Sequence, residues 1–154
     1  MASVTPSSEE ELRAQLIVKA RSYIGTKWRH QGRTRQGIDC LGLMLVPAFE
    51  LGLCDYPDQY NYPRRATSRE LIEISRLWAQ EVRLGPGGID AMKDGDVLVL
   101  RDHTFPQHVG MVTSMNGQRS LLHSSLAHRR VVEEYINQDH RQRALTTFKF
   151  RAFT

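Results

Sequence analysis

His108-Val109-Gly110-Met111-Val112-Thr113-Ser114-Met115-Asn116-Gly117-Gln118-Arg119-Ser120-Leu121-Leu122-His123-Ser124 reads as two strands around a tight turn. Asn116-Gly117 suits a type I′ turn, which needs positive φ at both central residues and matches the twist of an antiparallel pair. Taking it as a two-residue loop sets Met115 opposite Gln118, Gly110 opposite His123 and His108 opposite Ser125. Side chains alternate with period two and opposed residues share a face, so His108 and His123 become diagonal neighbours on one face, about 7 Å apart at the backbone. Gly110 carries no side chain and leaves room for the two imidazoles to meet.

Working outward, Asp96–Leu100, Arg130–Tyr135 and Leu145–Phe150 also carry strand patterns, giving an antiparallel sheet of about five strands. The first half of the chain reads differently. Ser8 with Glu11 forms a capping box, and Leu12, Leu16, Ile17 and Ala20 recur at helical spacing until Gly25. A second helix is expected to open at Cys40, with a kink or early break at Pro47, whose missing N–H removes one backbone hydrogen bond. Thr67 with Glu70 opens a third, amphipathic pattern that runs to Val82 before Gly85-Pro86-Gly87-Gly88 breaks it. Thr26–Gly37 and Gly52–Arg65 read as loops. Helices first and strands afterwards make an α+β fold, and 154 residues suit one domain spanning 1–154.

Asp39-Cys40-Leu41-Gly42-Leu43-Met44-Leu45 puts a thiol at the start of a helix that is apolar nearly all the way round. Unpaired N–H groups and the positive end of the helix dipole favour thiolate there, so a lowered Cys40 pKa is expected. The other cysteine, Cys54, lies 14 residues on, about 20 Å away along a helix, too far for a disulfide. A helix-start cysteine and two histidines on one sheet face are the parts of a thiol nucleophile, a general base and a group that orients the base. Amide hydrolysis through an acyl-enzyme is the chemistry they suit. Asp39 is a candidate helix cap or ligand for a substrate amine, and His30 a candidate substrate contact. His103, His108 and His123 match no familiar zinc spacing, so neither a metal nor another cofactor is expected.

Hydrophobic residues make up 40% and charged residues 25% of the chain, which suits a folded soluble domain. No apolar run reaches a membrane span. The net charge of +4 permits an anionic partner, but the arginines are scattered in small groups, and a solvated face is expected over a nucleic-acid groove. The N-terminus is polar and acidic where a secretory signal would be basic and then apolar. Cytoplasmic synthesis without a signal peptide is the expectation, with anything done outside the cytoplasm requiring another route.

Trp28-Arg29-His30-Gln31-Gly32, Gly37-Ile38-Asp39-Cys40-Leu41-Gly42-Leu43, Gly95-Asp96-Val97-Leu98-Val99-Leu100, His108-Val109-Gly110-Met111-Val112 and Leu122-His123-Ser124 together resemble the NlpC family of cell-wall cysteine peptidases, in its phage-associated type. The resemblance covers residues 12 to about 135. It implies a papain-like fold with the Cys helix packed on an antiparallel sheet. It also implies Cys40 as nucleophile, His108 as base and His123 as the third, orienting residue. By the same resemblance the substrate is a peptidoglycan stem peptide, cut at an amide bond next to D-glutamate, and phage tail proteins are candidate partners. Trp28 stands where the family usually has a tyrosine that assists at the oxyanion, a role its indole N–H could take. Leu41 replaces the family's small residue after the cysteine. Two other readings use the same parts: a phage tail or assembly component that keeps the fold, and a Cys-His amidase or acyltransferase acting on another substrate.

Overall fold

A computed structural model describes residues 8–55, 57–64, 68–101 and 108–154. Helix α1 (Glu9–Arg21) starts at the expected capping box, with Ser8 Oγ accepting from the Glu11 N–H and the Glu11 carboxylate reaching back to the Ser8 N–H. The loop after it carries only a two-stranded ribbon, β1 (Arg33–Thr34) and β2 (Gly37–Ile38), before helix α2 (Cys40–Glu50). Helix α2 does not break at Pro47. Every residue from Leu41 to Ala48 is buried, and packing on all sides outweighs one absent backbone hydrogen bond.

Helix α3 (Ser68–Trp78) ends four residues earlier than its sequence pattern, and Ala79–Val82 forms a strand, β3. The cause is a long-range partner: β3 pairs antiparallel with the last strand, from Ala79 opposite Phe150 to Val82 opposite Thr147. Thr67, the expected cap of this helix, lies outside the described residues. The sheet therefore has six strands and not five. Strands β4 (Val97–Leu100), β5 (His108–Met115), β6 (Gln118–Ser125), β7 (Arg130–Tyr135) and β8 (Ala144–Phe150) join β3 in the spatial order β3-β8-β4-β5-β6-β7, all antiparallel. A short helix, α4 (Gln138–Arg143), which the sequence pattern did not announce, connects β7 to β8. Asn116 and Gly117 both have positive φ, and Met115 faces Gln118 as the type I′ reading requires.

The two faces of the sheet do different work. On one, Val97, Val99, Val109, Met111, Leu122, Val131, Phe148 and Phe150 pack with the apolar residues of α1, α2 and α3 into the main core. On the other, Leu98, Leu100, Val112 and Leu121 pack with Ile89 and Met92 in a smaller cluster. Alternation along β5 and β6 puts His108 and His123 on this second face. Helix α1 is tied to the sheet by charge: Arg13 Nη1 donates to Asp96 Oδ1 at 2.8 Å, and Lys149 Nζ reaches Asp96 Oδ2 at 2.6 Å, with the Asp96 side chain almost wholly buried. No helix among the described residues is long and apolar enough to cross a membrane.

Replacing Asp96 by Ala takes the buried carboxylate from Arg13 and leaves its guanidinium, among the described residues, only the exposed Glu9 carboxylate. The expected cost is about 3–5 kcal/mol, the range for truncating one partner of a buried pair. Urea unfolding checks this, and a loss under about 1 kcal/mol would show that the pair contributes little beyond surface electrostatics.

Candidate active site

The cysteine is placed by the residue before it. Asp39 is buried, and its Oδ1 accepts from the Gly42 N–H at 2.8 Å, capping α2, and from Arg33 Nη1 at 3.0 Å. Its Oδ2 accepts from the Gln31 N–H at 2.7 Å and from the Tyr62 hydroxyl. Four donors fill the roughly four acceptor directions of a carboxylate. Asp39 therefore serves as a cap and a junction, and no acceptor on it is left for a substrate amine. Burial and the Asp39 charge push the Tyr62 phenol up, so it remains a donor. Gly42 makes the junction possible, because a Cβ there would sit 2.5 Å from the Gly32 carbonyl oxygen.

Cys40 is half-buried and unpaired by any disulfide, as is Cys54. The backbone N–H groups of Val109 and Leu41 point at the Cys40 sulfur, which brings the thiol to the residue beside His108. Its acidity runs against expectation. Burial, then the neighbouring Asp39 carboxylate, push the thiol up to about 12, outweighing the two N–H groups and Arg33. The helix dipole is a surface-scale effect, and a cap that is itself an anion opposes it at close range. Cys54 is also pushed up to about 12, by burial and Asp55, and its Sγ donates to the Leu45 carbonyl at 3.5 Å.

His108 and His123 meet as the register requires. Nε2 of His108 lies 2.6 Å from Nδ1 of His123, with the rings edge-on at 4.9 Å between centroids. Both are more than nine-tenths buried. A Cβ on Gly110 would lie 3.2 Å from the His123 Cβ and closer still to Leu121, so only glycine fits opposite His123. Burial first, then the positive charge that His123, Arg143 and His140 can carry, hold the His108 imidazole well below its usual range. His108 is thus neutral at pH 7, with its Nδ1 not engaged by His123.

Two other expected residues are placed by contacts with groups other than the thiol. The Trp28 main chain bridges Ile38 and donates to the Arg129 carbonyl at 3.0 Å, and the Arg64 guanidinium sits 5.3 Å from the centre of its ring. Among the described residues its indole N–H makes no hydrogen bond to the sulfur. His30 packs edge-on against Tyr62 at 5.6 Å, on the side of the site that Asp39 organises. The segment around Asn61 and Tyr62 closes this side through the Gln31 side-chain amide, which donates to both residues. His103 lies outside the described residues, and among those described no group of three or more histidine, cysteine or acidic side chains is arranged to hold a metal ion.

Sequence reading missed the surroundings of His123. Glu134 of β7 lies on the same sheet face, with Oε1 3.5 Å from His123 Nε2 and 3.1 Å from Nε2 of His140, a residue of α4. Its Oε2 lies 3.7 Å from Nε2 of His128. The turn between β6 and β7 has no signature comparable to Asn-Gly, so the register that brings Glu134 to His123 was not legible.

A helix that opens on a thiol and packs on an antiparallel sheet carrying two adjoining imidazoles is consistent with a papain-like fold. A family model for the NlpC/P60 family matches residues 25–149, and the chain belongs to that family. No curated protein matches the sequence. Solved structures share the fold at low identity. The NlpC/p60 domain of the peptidoglycan hydrolase SagA superposes with a TM-score of 0.55 at 16% identity, covering 89% of this chain and 97% of that one. NlpC2 from Trichomonas vaginalis gives 0.62 at 18%, covering 96% of this chain but 48% of that one. An N-acetylmuramoyl-L-alanine amidase from Bacteroides uniformis gives 0.57 at 11%, covering 90% and 97%. The chain thus spans nearly all of some similar structures and less than half of others.

With the thiol pushed up to about 12, alkylation of Cys40 by iodoacetamide is expected to rise about tenfold per pH unit from pH 7 to 10 without levelling off. Peptide mapping by mass spectrometry reads the rate at Cys40 separately from Cys54. A plateau below pH 8 would mean a thiolate already formed in the resting protein.

Proposed function

We propose that this protein is a peptidoglycan endopeptidase that hydrolyses an amide bond of the stem peptide, next to D-glutamate, by a Cys-His-His thiol mechanism. The observation that carries this reading is the 2.6 Å contact from His108 Nε2 to His123 Nδ1, on the strand whose next N–H points at the Cys40 sulfur. Membership in the NlpC/P60 family and the likeness to a domain of a peptidoglycan hydrolase support the substrate class.

On this reading both reacting groups rest neutral. Burial disfavours charge on the thiol and on the imidazole alike, so the proton passes from Cys40 Sγ to His108 as sulfur attacks the amide carbonyl. The carbonyl oxygen becomes an oxyanion, for which the Cys40 N–H at the helix start is the nearest donor. Collapse of the tetrahedral adduct breaks the C–N bond, and His108 returns its proton to the leaving amine. Water then adds to the thioester, giving its proton to His108, and the acid is released with the thiol restored. His123 holds the base in place and shares the charge it gains. Trp28 and His30 flank the cleft as candidate substrate contacts.

Mass spectrometry of purified peptidoglycan fragments incubated with the protein tests the reading, and Cys40→Ala should abolish any new fragment. His108→Ala should lower turnover by about 10²- to 10⁴-fold, the span of general-base catalysis. His123→Asn should retain part of the activity, because an amide can still accept from the His108 imidazole. Since the His108 pKa lies well below 6.5, kcat/KM should hold its plateau through pH 6 and fall only at lower pH, as His108 gains its proton. Unchanged cleavage by Cys40→Ala would end the proposal.

A further inference from the structure

The proton inventory around Glu134 has a single consistent solution. The Asn137 N–H donates to His140 Nδ1 at 3.1 Å, so that nitrogen carries a lone pair. A neutral His140 must then hold its proton on Nε2, the nitrogen that lies 3.1 Å from Glu134 Oε1. The same Oε1 is the nearest partner of His123 Nε2, a buried nitrogen that makes no hydrogen bond of good geometry in the resting structure. A lone pair facing a carboxylate is repelled, so His123 carries its proton on Nε2 and leaves Nδ1 as an acceptor. His108 must then donate from Nε2 across the 2.6 Å contact, which leaves its own Nδ1 unprotonated. That is the only tautomer in which His108 can take a proton from the thiol.

The arrangement follows from the sheet. Leu121 pairs with Glu134 and Val132 with His123, so Glu134 is the diagonal neighbour of His123 on β7, as His108 is on β5. His108, His123 and Glu134 form one oblique row across three strands, and α4 closes its end with His140.

We propose that Glu134, held by His140, is a positioning residue that fixes the tautomer of His123 and through it that of His108. This rests on the reading of Cys40 as nucleophile and His108 as base. The groups facing Glu134 are His123 from β6, His128 from the turn after β6 and His140 from α4. Asp139 and Arg143 act on His140, and Arg143 also on His108. The Glu134 carboxyl is held below its usual range, first by its contact with His123, and stays ionised where the enzyme would work.

The test uses the full chain, its Glu134→Ala and Glu134→Gln variants, and ¹⁵N NMR of the imidazoles at pH 7.5. In the parent protein His123 and His108 should both be protonated on Nε2. Glu134→Ala should give a mixture of tautomers at both rings and lower kcat on peptidoglycan fragments by about tenfold or more with KM unchanged, a part of what general-base catalysis contributes. Glu134→Gln preserves shape and an acceptor oxygen, so it should keep the tautomers and recover most of kcat. Its acidic limb should move to lower pH, because a negative charge that favours protonated His108 is gone. Unchanged tautomers in Glu134→Ala, or an unmoved acidic limb in Glu134→Gln, would overturn the proposal. The NMR readout needs no substrate: mixed tautomers in Glu134→Ala with no cleavage by the parent protein would sustain the positioning role and reject the proposed function. If Glu134→Ala fails to fold, His140→Gln is read in its place. It removes the clamp on Oε1 and should also mix the His123 tautomers, and retention of a single tautomer there would count against the proposal.

Discussion

The carboxylate of Asp39 is the point through which the cleft is assembled. It joins the start of α2, the Gln31–Arg33 segment and Tyr62, and each of these supplies a donor to it. Arg33 extends the junction to the Gly32 and Pro57 carbonyls. An anion this deep is tolerable only because every lone pair is met and a guanidinium balances the charge. The same charge acts on Cys40, one residue along. The group that fixes where the sulfur stands therefore also opposes its ionisation.

His108, the base of the proposed mechanism, belongs to a second polar system, on the sheet face that carries His123 and Glu134. Leu98, Leu100, Val112 and Leu121 make this face apolar, and desolvation keeps His108 neutral. His123, Glu134 and His140 continue from it as a row of neighbouring titratable groups. Low surrounding polarity makes these contacts strong and makes an unpaired member costly. The sheet thus carries the packed core on its helical face and the row of titratable groups on the other.

Arg13 and Asp96 make a third buried charge pair, far from the thiol in sequence and role. With Lys149 on the other oxygen of Asp96, it locks α1 to the start of β4 and the end of β8. Its work is to fix the orientation of α1 on the sheet, since the apolar residues of α1 could pack against it in more than one way.

Local chemistry made part of this legible in the chain. Ser8 and Glu11 determine where α1 begins, Asp39 where α2 begins, and Asn116-Gly117 determines the β5–β6 register, hence the meeting of His108 and His123; each depends on residues within a turn of one another. The end of α3, the strand at Ala79–Val82, the helix at Gln138–Arg143 and the continuation of α2 through Pro47 were decided by partners distant in sequence. So were the saturation of Asp39 by Arg33 and Tyr62, the raised Cys40 pKa and the approach of Glu134 to His123. Pairing across loops and desolvation are properties of the assembled molecule: periodicity can say which side of a strand a residue faces, but not which strand lies beside it or how much water is left around it.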